Sequence, residues 1–329
     1  RLSTLLCAMA LGAALALGAT AKAQEGIGRI RIATIGVPDA AAAASLYERW
    51  LGYEQVEQGS VAPELAASWG APAMAGRAYA LLRPASGDNV YLRPVEITFP
   101  EDYRPMRSYG WNAVEILVQE PDAIFERLSA SPFEHVGGPA NLDGGNSTIR
   151  ATQFKDPWET VFYFTAETGD LSESMLMAAR SPIDRPFIMV AAGPDATAMA
   201  AFYERELGAE LAFMTETPID IIARAQGLPA EHRYPLGFLR LAAFSNGIEV
   251  DGYPAGLPPR PRAPGELPPG PALASFSIAT LERVASSLFV APPRVGSGRA
   301  YGGARTVTIR GVAGERIELI EEALPDGEN

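Results

Sequence analysis

The side chains able to do chemistry in this chain are mainly carboxyls and phenols. Two histidines and one cysteine stand among 329 residues, against 39 acidic and 11 tyrosine residues. Cys7 lies in an apolar N-terminal run, so the chain after it offers neither a thiolate nor a disulfide. His135 begins a predicted strand, and His232, in Ala230-Glu231-His232-Arg233-Tyr234, is placed to act as a single base. No nucleophile elbow and no zinc-protease spacing occurs, and Leu142-Asp143-Gly144-Gly145-Asn146 reads as a turn rather than a phosphate cradle. Glu249 and Glu318 sit inside alternating apolar strands, where burial raises a carboxyl pKa and makes it an acid–base group. Glu115, in Ala113-Val114-Glu115-Ile116, is expected on the opposite face or against an arginine. Asn112 stands beside Tyr109 and Trp111, and Trp69 next to Gly70-Ala71-Pro72, as a lid over an aromatic ligand or an anchor for its own segment.

The elements that must position these groups come from a duplication. Pro38-Asp39-Ala40, Tyr47-Glu48-Arg49 and Leu51-Gly52 recur as Pro194-Asp195-Ala196, Tyr203-Glu204-Arg205 and Leu207-Gly208 at one constant offset. A single long period means two related halves rather than a solenoid. In each copy a β-branched strand leads to an N-capping Asp, a helix and a terminating Gly. The first copy predicts a helix over 40–51, a short helical insert over 63–69, and strands over 79–83 and 90–97 joined by Ser86-Gly87-Asp88-Asn89. The order β-α-β-β-β is then predicted three more times, with helices over 121–129, 196–207 and 281–287 and a strand over 291–295.

Two modules are expected in an N-terminal domain at 28–167 (28–100 and 108–167) and two in a C-terminal domain at 186–322 (186–253 and 272–322). A linker covers 168–185, and the proline-rich stretch 254–271 is a semi-rigid connector. Residues 1–23 read as a signal peptide: Arg1, an apolar run, then Ala21-Lys22-Ala23 before Gln24. This predicts a periplasmic or secreted protein with no membrane association after cleavage. A net charge of −12 and no basic patch argue against nucleic acid and anionic membranes as partners.

The repeated modules and Phe202-Tyr203-Glu204-Arg205-Glu206-Leu207-Gly208 resemble the vicinal oxygen chelate superfamily, which includes glyoxalases, bleomycin-resistance proteins and extradiol dioxygenases. Phe154-Lys155-Asp156-Pro157-Trp158-Glu159 is similar to that family's hairpin before a last strand. The resemblance implies α+β architecture, with modules paired into curved mixed sheets around a pocket. In metal-dependent members a His on a first strand and a Glu on a last strand bind the metal. Here the first-strand positions fall on Ile32, Asn112 or Ala113, Ile188 and about Leu273, none of them His. The last-strand positions fall on Tyr91, Tyr163, Glu249 and Glu318. The resemblance thus implies two phenols in an N-terminal pocket and two carboxyls in a C-terminal one, with no cofactor and no metal ligands.

These readings predict an exported protein for a small, aromatic or apolar molecule. One version is a metal-independent lyase- or isomerase-type enzyme using Glu318, Glu249, Asn112 and His232, with Tyr91, Tyr163, Trp69, Tyr109 and Trp111 holding the ligand. A second is a non-catalytic binding protein of the resistance type, and a third a metal-dependent glyoxalase- or dioxygenase-like enzyme. The oligomeric state is open.

Overall fold

The computed structural model describes residues 26–142 and 147–322. The expected signal peptide and most of the turn at 142–146 lie outside them. Among the described residues sixteen strands form two eight-stranded mixed sheets. The first four-stranded unit contains β1 (Ile27–Val37), α1 (Ala40–Leu51), β2 (Glu54–Ser60), α2 (Pro63–Ser68), β3 (Ala78–Arg83) and β4 (Tyr91–Glu96). The second contains β5 (Gly110–Val118), α3 (Pro121–Ser129), β6 (Glu134–Asn141), β7 (Ile149–Lys155) and β8 (Val161–Glu167). The third contains β9 (Ile183–Gly193), α4 (Ala196–Leu207), β10 (Glu210–Pro218), α5 (Asp220–Gln226), β11 (Arg233–Arg240) and β12 (Gly247–Gly252). The last contains β13 (Gly270–Ile278), β14 (Arg294–Val295), β15 (Arg305–Arg310) and β16 (Arg316–Glu321).

Local chemistry explains the repeated elements. The Asp39 carboxylate accepts from the N–H groups of Ala41 and Ala42, and Asp195 accepts from Ala198, so each capped helix starts where its Asp stands. Gly52 and Gly208 end the same helices in the left-handed region, with φ of 70° and 67°. The helix expected over 281–287 is instead two 3-10 turns, Leu281–Arg283 and Ser286–Leu288. That stretch has an N-cap in Thr280 but, unlike the equally short α5 that ends on Gly227, no glycine to close it. The strand expected over 291–295 shrinks to Arg294–Val295, because Pro292 and Pro293 lack ladder donors.

The sheets do not follow the two halves of the chain. One sheet has the order β14-β15-β16-β13-β1-β4-β3-β2, which joins the first unit to the last. The other, β10-β11-β12-β9-β5-β8-β7-β6, joins the second unit to the third. In each, two first strands run antiparallel at the centre, with Ala33 opposite Ala274 and Val114 opposite Met189. The expected pairing of two phenols in one pocket and two carboxyls in the other is therefore corrected. Tyr91 and Glu318 share the first sheet; Tyr163 and Glu249 share the second.

The sheets and helices enclose one apolar core, and the other face of each sheet carries a smaller apolar cluster. Two buried phenols tie the halves across that core. Tyr47 on α1 donates to Asp156 Oδ2 at 2.7 Å, and Tyr203 on α4 donates to Glu315 Oε1 at 2.9 Å. Each bond runs from a helix of one sheet's units to a turn of the other's. Gly311 leaves the room that the Glu315 carboxyl occupies, since a side chain there would collide with it. Among the described residues no helix is long and apolar enough to cross a membrane. Tyr47→Phe and Tyr203→Phe should each lower the free energy of unfolding by about 1–2 kcal/mol. Urea denaturation of both single variants and the double variant tests this, and the losses should add because the two sites are separate.

Candidate functional site

On the face turned away from the shared core each sheet carries a smaller apolar cluster with polar groups inside it, and that face is its cleft. In the first, the C-terminal end of α2 delivers Trp69 into the sheet, fully buried. The Arg316 guanidinium holds that turn by donating to the Trp69 and Gly70 carbonyls. The indole N–H donates to Glu318 Oε1 at 3.0 Å, and Ser275 Oγ donates to Glu318 Oε2 at 2.6 Å. The Tyr301 hydroxyl lies 3.1 Å from both carboxylate oxygens. Arg93 pairs with the same carboxylate at 3.7 Å, donates to Thr34 and Tyr301, and lies 4.6 Å from the centre of the Trp69 ring. Glu318 is thus neutralised and hydrogen-bonded by the protein itself, in a space filled by tryptophan and tyrosine. Tyr91 faces this cleft, buried, with its hydroxyl on Asn89.

The second cleft has a different floor. Glu115 on β5 stands beside Tyr163 on β8, and Glu249 and Asp251 stand one pleat apart on β12. All four project to the side occupied by Ala113, Ile188, Val190 and Phe238. Glu115 is 7% exposed and receives one hydrogen bond, from Thr165 Oγ1 at 2.6 Å. Asp251 is fully buried, and neither of its oxygens has a partner; the buried Tyr253 hydroxyl has none either. Glu249 and Tyr163 are partly exposed, so the floor communicates with solvent. Met106, Met175, Met177, Leu176, Leu228 and Ile222 of α5 make the walls.

Burial sets the electrostatics. It pushes Glu115 and Asp251 up to about 7, and Thr165 offsets only part of the rise at Glu115. Glu249 is raised well above the carboxylate range by burial, then by the charges of Asp251 and Glu115. Tyr163 is raised by burial and by the same three acids. No ammonium or guanidinium offsets any of these carboxyl shifts.

The other expected site residues fall as follows. Asn112 is buried at a β-bulge between Trp111 and Ala113, where its amide donates to the carbonyls of Ser108 and Gly110. The bulge turns Trp111 into the core between the sheets, where its indole donates to the Arg316 carbonyl; this corrects its expected pocket position. Tyr109 packs on the second cleft, with its hydroxyl on the Pro254 carbonyl. His232 lies at the rim, its ring edge-on to Tyr234 at 4.7 Å. Glu115, expected on the far face or against an arginine, faces the cleft and pairs with no base. Asp251 was missed, although the alternation Glu249-Val250-Asp251 puts both acids on one face. Arg93 was missed too. Thr34 opposes Arg93 as Val190 opposes Glu249, so Arg93, not Tyr91, is the counterpart of Glu249, and Gly247 is the counterpart of Tyr91.

No protein-family model matches the chain, and no curated protein matches it. Solved structures do. A point mutant of glyoxalase I from Zea mays is similar at a TM-score of 0.62 and 14% identity, covering 92% of this chain and 96% of that one. A candidate dioxygenase from Bacillus subtilis is similar at 0.59 and 14%, covering 92% and 87%. The fold is that of the vicinal oxygen chelate proteins. At such identity the likeness speaks for the fold alone.

The residues at the fold's metal positions do not form a ligand set. The facing pairs are Ile32 with Tyr91, Ser275 with Glu318, Glu115 with Tyr163, and Ile188 with Gly247. Isoleucine and glycine offer no donor, and Glu318 is saturated by protein groups. Among the described residues no three His, Cys, Asp or Glu side chains group to hold a metal ion.

The raised carboxyls also control stability. Glu115, Asp251 and Glu315 are pushed up to about 7 and Asp156 to about 6, above their unfolded values near 4. The folded chain therefore holds more protons than the unfolded chain between about pH 4 and 7. The contribution is full below that window and lost as pH rises through it. The melting temperature should fall by about 5 °C or more from pH 5 to 7.5, read by calorimetry. Asp251→Asn should flatten the slope.

Proposed function

We propose that the second-sheet cleft is the working site and that the protein acts on a small, apolar or aromatic molecule there by proton transfer. One observation carries this reading: Glu115, Glu249 and Asp251 gather without a counter-charge in an apolar cleft. Carboxyls raised toward neutrality exchange protons near physiological pH, as a lyase- or isomerase-type step requires. Glu249 and Tyr163, partly exposed, are the groups that meet the ligand. Burial first, and then the charges of Asp251 and Glu115, favour the protonated form of Glu249. The donor sets described above favour chemistry without the family's His and Glu metal ligands.

The second reading is a binding protein. Three methionines in the walls favour it, because flexible thioethers adapt to varied apolar shapes. Export belongs to the same proposal and rests on the sequence around Ala23; N-terminal sequencing of the mature protein should begin at Gln24.

Glu249→Gln separates the two readings. In an enzyme it should lower kcat, read at saturating ligand, by about 100-fold or more. In a binding protein there is no turnover to lose, and the substitution shows only in affinity. Glu318→Gln is the structural control: it disturbs the buried Arg93 pair and should cost about 3 kcal/mol of stability with little change in ligand affinity. Loss of ligand binding in Glu318→Gln, with Glu249→Gln unaffected, would move the site to the first sheet.

A further inference from the structure

Asp251 is enclosed with two unpartnered oxygens, and the Tyr253 hydroxyl, an independent group on the same cleft, is also buried and unpartnered. Leaving such groups bare is costly, and native chains seldom do so without a use. Around them stand Glu249 and Glu115, neither paired with a base. Among the described residues no side chain donates to either Asp251 oxygen or meets the Tyr253 hydroxyl.

We propose, on the reading that this cleft is the working site, that its ligand is an organic cation: a protonated amine or quaternary ammonium on an apolar or aromatic body.

The chemistry of the floor and walls selects this class. An anion would meet three acids. A bare metal ion needs ligands converging on one point, and no such group forms here. Glu115 and Glu249 instead lie two strand spacings and a pleat apart, on the order of 10 Å, which suits a molecule rather than an ion. Tyr163, Tyr234, Tyr253 and Tyr109 belong to the same cluster, and aromatic rings attract a positive charge. Methionine and leucine walls take the apolar body. The first cleft shows the alternative solution. There the protein supplies its own cation, Arg93, at the position that Glu249 holds in the second. In the second cleft that cation is left for the ligand to bring.

The titratable groups facing the floor are Glu115, Glu249, Asp251, Tyr163, Tyr234 and Tyr253. The Arg260 guanidinium acts on Tyr253 through its charge, and His232 packs edge-on against Tyr234. The cation binds the ionised floor, so binding should release protons, and affinity should rise with pH through about 7.

The test uses three probes of one size: benzyltrimethylammonium, benzyl alcohol and phenylacetate, titrated calorimetrically into the whole chain in about 150 mM salt. That salt suppresses diffuse attraction to a surface of net charge −12. The expected order is the cation at least 10-fold tighter than the alcohol, with phenylacetate weakest. Asp251→Asn and Glu249→Gln should each weaken the cation 10-fold or more and leave the alcohol unchanged. Asp251→Asn should also raise the melting temperature, because it removes a bare buried acid; a structural acid would show the reverse. If Asp251→Asn fails to fold, the partly exposed Glu249→Gln carries the same comparison. Equal affinity for cation and alcohol overturns the cation proposal and leaves the cleft standing. No binding of any probe overturns the cleft reading itself.

Discussion

Two crossed hydrogen bonds hold this architecture together. Tyr47 reaches Asp156 and Tyr203 reaches Glu315, each across the core between the sheets. Backbone ladders join the first unit to the last and the second to the third. The phenols add links from first to second and from third to last. Further bonds join the second unit to the last, through Trp111 and the Arg316 carbonyl, and the first to the third, through Tyr53 and the Asp184 carbonyl. The repeated tyrosine of the duplicated phrase serves the scaffold, not the ligand. Its partner carboxyls are raised toward neutrality because they are sealed in that core, so the same bonds that fix the sheets make the fold sensitive to pH.

A scaffold so constrained presents two clefts of the same descent with opposite contents. The first buries an ion pair in which Glu318 accepts from an indole and two hydroxyls while Arg93 balances its charge. A pair so solvated by its own protein is stable but has no free lone pair for a ligand. It also needs Trp69, carried in by the six-residue α2 and held by Arg316, so the segment after the second strand became a plug. The corresponding segment of the third unit, α5, ends in Gly227 and contributes Ile222 and Ala223 to a wall instead. One duplication thus yielded a filled cleft and an acidic one.

Much of this fold was legible because its signals are local. Asp39 and Asp195 cap where an Asp before an alanine-rich run should, and Gly52 and Gly208 end the helices where only glycine sits easily. The pairing of units was not legible. It depends on which first strands meet edge to edge, and either pairing buries the same alternating faces. The site was legible in part. Glu249 and Tyr163 face a cleft as the strand pattern implied, but Trp111 does not, because the bulge at Asn112 turns the strand by one residue and no residue type announces that bulge. Glu318 could be placed on its strand but not judged, since only Ser275 and Tyr301 come from its own unit, while Trp69 and Arg93 come from the first, at the other end of the chain. Asp251 was within reach, by counting two from Glu249.

The contrast between Arg93 and Glu249 decides how the two clefts should be understood. Both stand at one register position of related strands, opposite Thr34 and Val190. Substituting one sign of charge for the other among apolar neighbours is not a neutral change. With Arg93, the cleft's carboxylate acquires a partner and the cavity closes around it. With Glu249, a second carboxyl joins Asp251 and Glu115, and each raises the cost of ionising the next. A chain selected for stability alone would place a leucine at Glu249 or an asparagine at Asp251. Three acids on one small floor lower stability at that face, and that cost is what the proposed ligand site would carry.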